Sequence, residues 1–79
     1  MKKGVSFIRL PAGAQICLYT LDGIKVKTLN SQEQTGRAYW DLTNESGKSV
    51  ATGIYIYVII DTAGQQARGK VAIVREYVF

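Results

Sequence analysis

Histidine is absent from this 79-residue chain, and cysteine and proline each occur once. Without histidine, the commonest general base, the usual transition-metal ligand and every histidine-dependent triad are gone. Cys17 cannot form an internal disulfide. Flanked by Ile16 and Leu18, it reads as a small buried hydrophobe rather than a reactive thiol, and it leaves the redox compartment open. With one cysteine and no histidine, a zinc site would have to rest on carboxylates alone. Carboxylates are also scarce: Asp22, Glu33, Asp41, Glu45, Asp61 and Glu76 make six, and most fall at turn or strand-end positions where capping or solvated roles are normal. No phosphate-binding glycine loop or nucleophile elbow occurs. The sequence therefore predicts a non-enzyme with no cofactor and no metal.

Other absences narrow the class further. No apolar run reaches the roughly 18 residues that a membrane helix needs. The basic start Met1-Lys2-Lys3 lacks an apolar stretch and a small-residue cleavage site, so it does not read as a signal peptide. The net charge is +4, from ten Lys and Arg. They are scattered, never more than two in a row, with no nucleic-acid-binding motif beside them. Solvated strand faces account for them, and nucleic acid is not an expected partner.

What is present is β patterning. At 79 residues there is room for one domain, spanning 1–79. Short β-rich runs are broken by Gly, Pro, Asn and Asp, and helical periodicity is nowhere sustained. Gly4 to Arg9 alternates as a first strand and ends at Leu10-Pro11-Ala12-Gly13, where Pro11 cannot donate to a ladder and Gly13 permits a turn. Gln15 to Leu21 is a second strand, with Ile16 and Leu18 on one face and Cys17 and Tyr19 on the other. Asp22-Gly23 then predicts a hairpin with a type I′ turn. On the return strand Ile24 and Val26 are expected inward, with Lys25 and Lys27 in solvent. Gly36 opens a fourth strand, where Ala38, Trp40 and Leu42 share one face and Arg37, Tyr39 and Asp41 the other. Asn44 and Gly47 punctuate a turn, and Ser49 to Ala51 is a short edge strand. The run from Gly53 to Ile60 is apolar on both faces, marking a central strand. Asp61 to Gly64 turns the chain, and Gln66 to Arg75 returns. About seven strands with regular turn signals predict an antiparallel β-sandwich, with a small barrel as the runner-up.

The densest signal is the spaced run Trp40-Asp41, Gly47, Gly53, Tyr55, Tyr57, or W-D-x5-G-x5-G-x-Y-x-Y. Trp40 could be an aromatic platform for sugar or protein, but its alternation with Ala38 and Leu42 favours a core anchor. Tyr39, on the opposite face, is the better surface candidate. Tyr55 and Tyr57 read as packed residues of a central strand that satisfy their hydroxyls locally. An internal Lys–Asn isopeptide crosslink is disfavoured because Lys25 and Lys27 read as solvated. At the end of the chain, Arg75-Glu76-Tyr77-Val78-Phe79 alternates in aromatics. It is either an extension of the last strand or a free edge that augments a partner sheet.

Three separated stretches, in order, resemble a known family. Val5-Ser6-Phe7-Ile8-Arg9-Leu10-Pro11-Ala12-Gly13-Ala14-Gln15-Ile16, with Leu18-Tyr19-Thr20-Leu21-Asp22-Gly23, is similar to the opening of FlgD-like Ig-like domains. Gly36, Trp40-Asp41, Asn44, Gly47, Val50, Gly53-Ile54-Tyr55 and Tyr57 resemble their middle. Gly69-Lys70-Val71-Ala72-Ile73-Val74-Arg75 resembles their last strand. The C-terminal domains of the type IX (Por) secretion system share much of this pattern. The resemblance implies an immunoglobulin/fibronectin-III-like sandwich placed at the C-terminus of a larger secreted or surface bacterial protein. It implies service in secretion, sorting, attachment or assembly at an extracytoplasmic location, and brings no catalytic residues. A protein partner is expected, met through Tyr39, Lys70, Arg75, Tyr77 or Phe79. Alternatives are an accessory module binding protein or carbohydrate, the latter disfavoured, and a scaffold domain like that of the flagellar hook cap.

Overall fold

The computed structural model describes residues 4–31 and 36–74. Among them lie six strands and no helix: β1 (Val5–Phe7), β2 (Gln15–Thr20), β3 (Lys25–Asn30), β4 (Ala38–Trp40), β5 (Gly53–Ile60) and β6 (Gln66–Ile73). All pairings are antiparallel. A small sheet joins β1 to β4, and a four-stranded sheet runs β3-β2-β5-β6. The arrangement is not a closed barrel. The described strands number six where about seven were expected, because Ser49 to Ala51 reduces to a single bridge between Ser49 and Thr43. Arg75, where the last strand was expected to end, lies outside the described residues.

The core forms between the sheets because the inward positions of both are apolar. The small sheet supplies Phe7, Ala38 and Trp40; the large one supplies Ile16, Leu18, Val26, Tyr55 and Ile73. Trp40, Ile16 and Leu18 are fully buried. The Trp40 ring meets Tyr55 edge-on, with centroids 5.5 Å apart, and Phe7 meets Tyr57 likewise at 5.3 Å. Offset and edge-on pairs of this kind add to the area they bury. Leu42 continues the buried face beyond β4, but at φ 63 it has left strand geometry. That left-handed step brings Thr43 under the indole, whose Nε1 donates to the Thr43 carbonyl at 2.9 Å.

Three hairpin-type loops are built on one plan. In each, residue i accepts from the amide of a glycine three positions on, and its own amide donates to the carbonyl of residue i+4. Thr20 and Gly23, Asn44 and Gly47, and Asp61 and Gly64 fill these roles. The glycines have φ of 88°, 79° and 82°, values that a Cβ disfavours. The Asp22-Gly23 turn is thus not the expected type I′. Only Gly23 has positive φ, so the loop is three residues long, a type I turn closed by a left-handed glycine. Side chains reinforce all three loops: Thr20 Oγ1 accepts from the Ile24 amide and donates to Asp22 Oδ1, Asn44 Oδ1 accepts from the Ser46 and Lys48 amides, and Asp61 Oδ1 from the Ala63 and Gln65 amides.

Strand β3 departs most from the sequence reading. Leu18 pairs with Lys27 but Tyr19 with Lys25, so Val26 is an extra residue, a bulge. The bulge reverses the inward–outward phase. Lys27 and Leu29 join Leu18 and Ile16 on the inner face, and Thr28 turns outward opposite Cys17. Val26 is buried as expected, but Ile24 is 62% exposed rather than inward. Lys27 is only 23% exposed rather than solvated.

Candidate protein-docking edge

The two edges of the four-stranded sheet are finished differently. The β3 edge is covered by the loop after β4: the Glu45 amide donates to the Val26 carbonyl at 3.1 Å, and the Thr28 amide donates to Glu45 Oε1 at 2.7 Å. Lys27 Nζ donates to Thr43 Oγ1 at 2.8 Å and lies 3.7 Å from Asp41 Oδ1. Asp41 in turn accepts from the Thr43 hydroxyl and amide. The Thr43 hydroxyl bond holds the Asp41 carboxyl below the ordinary value; desolvation pushes it up by less than that bond lowers it, and the Lys27 charge and the Thr43 amide add smaller lowering effects. Glu45 and Thr43 had no distinctive signal in the sequence; only the pairing of their loop with β3 reveals their part.

On the far side, β6 pairs with β5 over all eight of its residues. Its other edge meets no backbone hydrogen bond from any described segment. An open edge of this length is a template for a further strand. Arg68 and Lys70 stand on it, exposed, and such charges guard free edges against unspecific pairing. Gly69, between them, has the ring of Tyr57 packed directly over its α-carbon, where a Cβ would collide.

The remaining sequence candidates are distributed rather than gathered. Leu10, Pro11 and Gly13 form the corner from β1 to β2: the Leu10 amide donates to the Gly36 carbonyl at 2.9 Å and the Ala14 amide to the Pro11 carbonyl at 3.2 Å. Buried Ser31, which sequence reasoning passed over, ties this corner down. Its hydroxyl donates to the Pro11 carbonyl and accepts from the Ala14 amide. Asp22, Gly23 and Gly47 sit in loops, as described. Gly53 begins β5, where Tyr55 is buried and its hydroxyl donates to the Ala51 carbonyl at 2.6 Å. Tyr39 is 45% exposed on the outward face of β4, its ring lying over Gly4. Lys70 is on the outward face of the other sheet, so these two partner candidates point to opposite sides of the domain. Arg75, Tyr77 and Phe79 lie outside the described residues. Trp40, with no exposed surface, has no ring face to offer a sugar.

The grooves on the surface are shallow. The one beside Tyr39, about 380 Å³, brings that ring together with Ser6, Ile8 and Arg37 and holds no carboxylate. Among the described residues no group of three or more Cys, Asp or Glu side chains is placed to hold a metal ion. No helix there is long and apolar enough to cross a membrane.

Comparison with known proteins finds a fold. The chain matches no known protein family and no curated protein. In structure it is similar to a segment of PorZ, a surface component of the type-IX secretion system of Porphyromonas gingivalis. The TM-score is 0.75 at 21% identity, over 94% of this chain and 10% of PorZ. The chain therefore spans only a tenth of the length of the protein it resembles.

Proposed function

We propose that this chain is a non-catalytic Ig-like module, of the FlgD-like and type IX C-terminal kind, from a secreted or cell-surface bacterial protein. Its work is to dock on a protein partner during sorting, surface attachment or assembly, at an extracytoplasmic location. The observation that carries this reading is the structural likeness to a segment of a type-IX secretion surface component over 94% of the chain. The open β6 edge supplies a means, because a strand added there gains backbone hydrogen bonds without a preformed pocket. The scattered polar residues give no support to an enzyme.

The test is to fuse residues 1–79 to a reporter enzyme preceded by an export signal, in a bacterium that has type-IX secretion. Surface retention or release of the reporter is the expected result, and a Trp40→Ala fusion that cannot fold should lose it. A reporter held in the periplasm with the wild-type module would overturn the reading. A carbohydrate-binding module is the alternative, favoured only by exposed Tyr39 beside its groove. A glycan array read against Tyr39→Ala would decide it.

A further inference from the structure

The outward face of the four-stranded sheet is finished as an interior surface along one strip only. Strand β5 turns Ile54, Ile56, Val58 and Ile60 outward, opposite Cys17 and Tyr19 on β2. No other described strand is layered over them: Ile54 is 47% exposed, while Ile56, Val58 and Ile60 are partly buried. A groove of about 360 Å³ follows the strip, walled by Tyr19, Ile56, Val58 and Ile60 with Arg68 at its border. The flanking strands are polar. On β6 the outward residues beside the strip are Gln66, Arg68 and Lys70, with Ala72 opposite Ile54; on β3 they are Lys25, Thr28 and Asn30. Three cations thus border the strip, and none of the outward strand positions is acidic. Among the described carboxylates, Asp22 and Asp61 belong to end loops and accept hydrogen bonds there, and Glu45 is engaged by the Thr28 amide at the β3 edge.

The dimensions choose the occupant. Ile54 to Ile60 spans roughly 20 Å at about 3.3 Å per residue, and two strands are about 10 Å wide. A helix is about 10 Å across and covers 20 Å in about 13 residues. A second sheet would need apolar surface across three or four strands, and here the outer two present charge and amide groups instead. A second copy of this chain would bring Arg68, Lys70 and Lys25 against their own kind, a costly match. We infer that this face docks an amphipathic helix of a partner protein, its apolar stripe laid along β5 and its flanks carrying carboxylates toward Arg68, Lys70 and Lys25. The inference rests on the protein-docking reading above and names the chemistry of the partner.

Two synthetic helical peptides of 14 residues serve as probes, alike in a leucine stripe but flanked by Glu in one and by Lys in the other. Each is titrated into the 15N-labelled 79-residue chain while amide shifts are followed. The Glu peptide should shift residues 54–60 and 68–70 and bind at least tenfold more tightly than the Lys peptide. Arg68→Glu with Lys70→Glu, both at exposed positions, should reverse that preference while leaving the dispersion of the spectrum intact. Equal binding of the two peptides, shifts confined to Tyr39 and its groove, or no shifts at all would overturn the inference. So would cosedimentation with phosphatidylglycerol vesicles by a chain that ignores both peptides, or a dimer burying residues 54–60. Because no export is measured, a failed reporter fusion beside a positive titration removes only the sorting reading, and the converse removes only this one.

Discussion

Strand β5 carries apolar side chains on both faces, and the two faces meet different surroundings. Inward, Tyr55 and Tyr57 find aromatic partners in Trp40 and Phe7, and the Tyr55 hydroxyl has an acceptor. Outward, Ile54, Ile56, Val58 and Ile60 find neighbours, among the described residues, in their own sheet. The contrast separates two jobs that a hydrophobic residue can do in a small domain. The inner set is spent on folding, and the outer set is left for something else. A chain of this size has little apolar area to spare, so four aliphatic residues on one uncovered strip are a substantial fraction of what it holds.

Substitutions sharpen the comparison. Trp40→Ala removes the largest buried ring from above Tyr55 and should cost about 3–5 kcal/mol, enough to unfold much of the population. A chemical-denaturation midpoint close to wild type would show that the inner face is not the source of stability. Gly69→Ala pushes a methyl group into the Tyr57 ring and should cost about 1–3 kcal/mol as overpacking, whereas the adjacent, outward Lys70→Ala should be nearly silent. Tyr55→Phe deletes the bond to the Ala51 carbonyl and should cost about 1 kcal/mol, measured by the same denaturation curves. Asp41 adds a pH dependence at the rim of the inner face. Its carboxyl is lowered in the folded chain, so its contribution is fully present above the unfolded value and is lost as pH falls through the folded one. Asp41→Asn should flatten that acid limb and leave the pH dependence of stability near neutrality unchanged. Ile54→Thr, on the outer face, should change stability by less than about 0.5 kcal/mol. A loss as large as that of an inner residue would mean the outer strip is core after all.

How much of this was legible in the chain depends on the range of the signal. The alternation of Ala38, Tyr39 and Trp40 places the indole inside and the phenol outside, and the structure puts them there because a strand has a fixed period of two. The apolar run from Gly53 to Ile60 reads as a central strand and lies between β2 and β6. The same run is apolar on both faces, and local pattern does not say what meets each face. Whether a second layer arrives is not written in the strand itself. The β3 reading failed for a related reason: Lys25, Val26 and Lys27 alternate cleanly on paper, but the three-residue loop and the bulge at Val26 reverse the phase. Glu45 and Ser31 escaped notice because their partners lie 17 residues away in each case.

The sequence by itself determined the class of the domain. Its spaced tryptophan, glycines and tyrosines prescribe antiparallel strands, left-handed turn positions and the residues that meet in the middle, all consequences of local geometry and side-chain period. Tertiary structure alone decided which edge is capped and, among the described residues, which edge stays open and which apolar face has no second layer on it. Those outcomes depend on register and on the number of layers, quantities set by contacts between segments far apart in the chain.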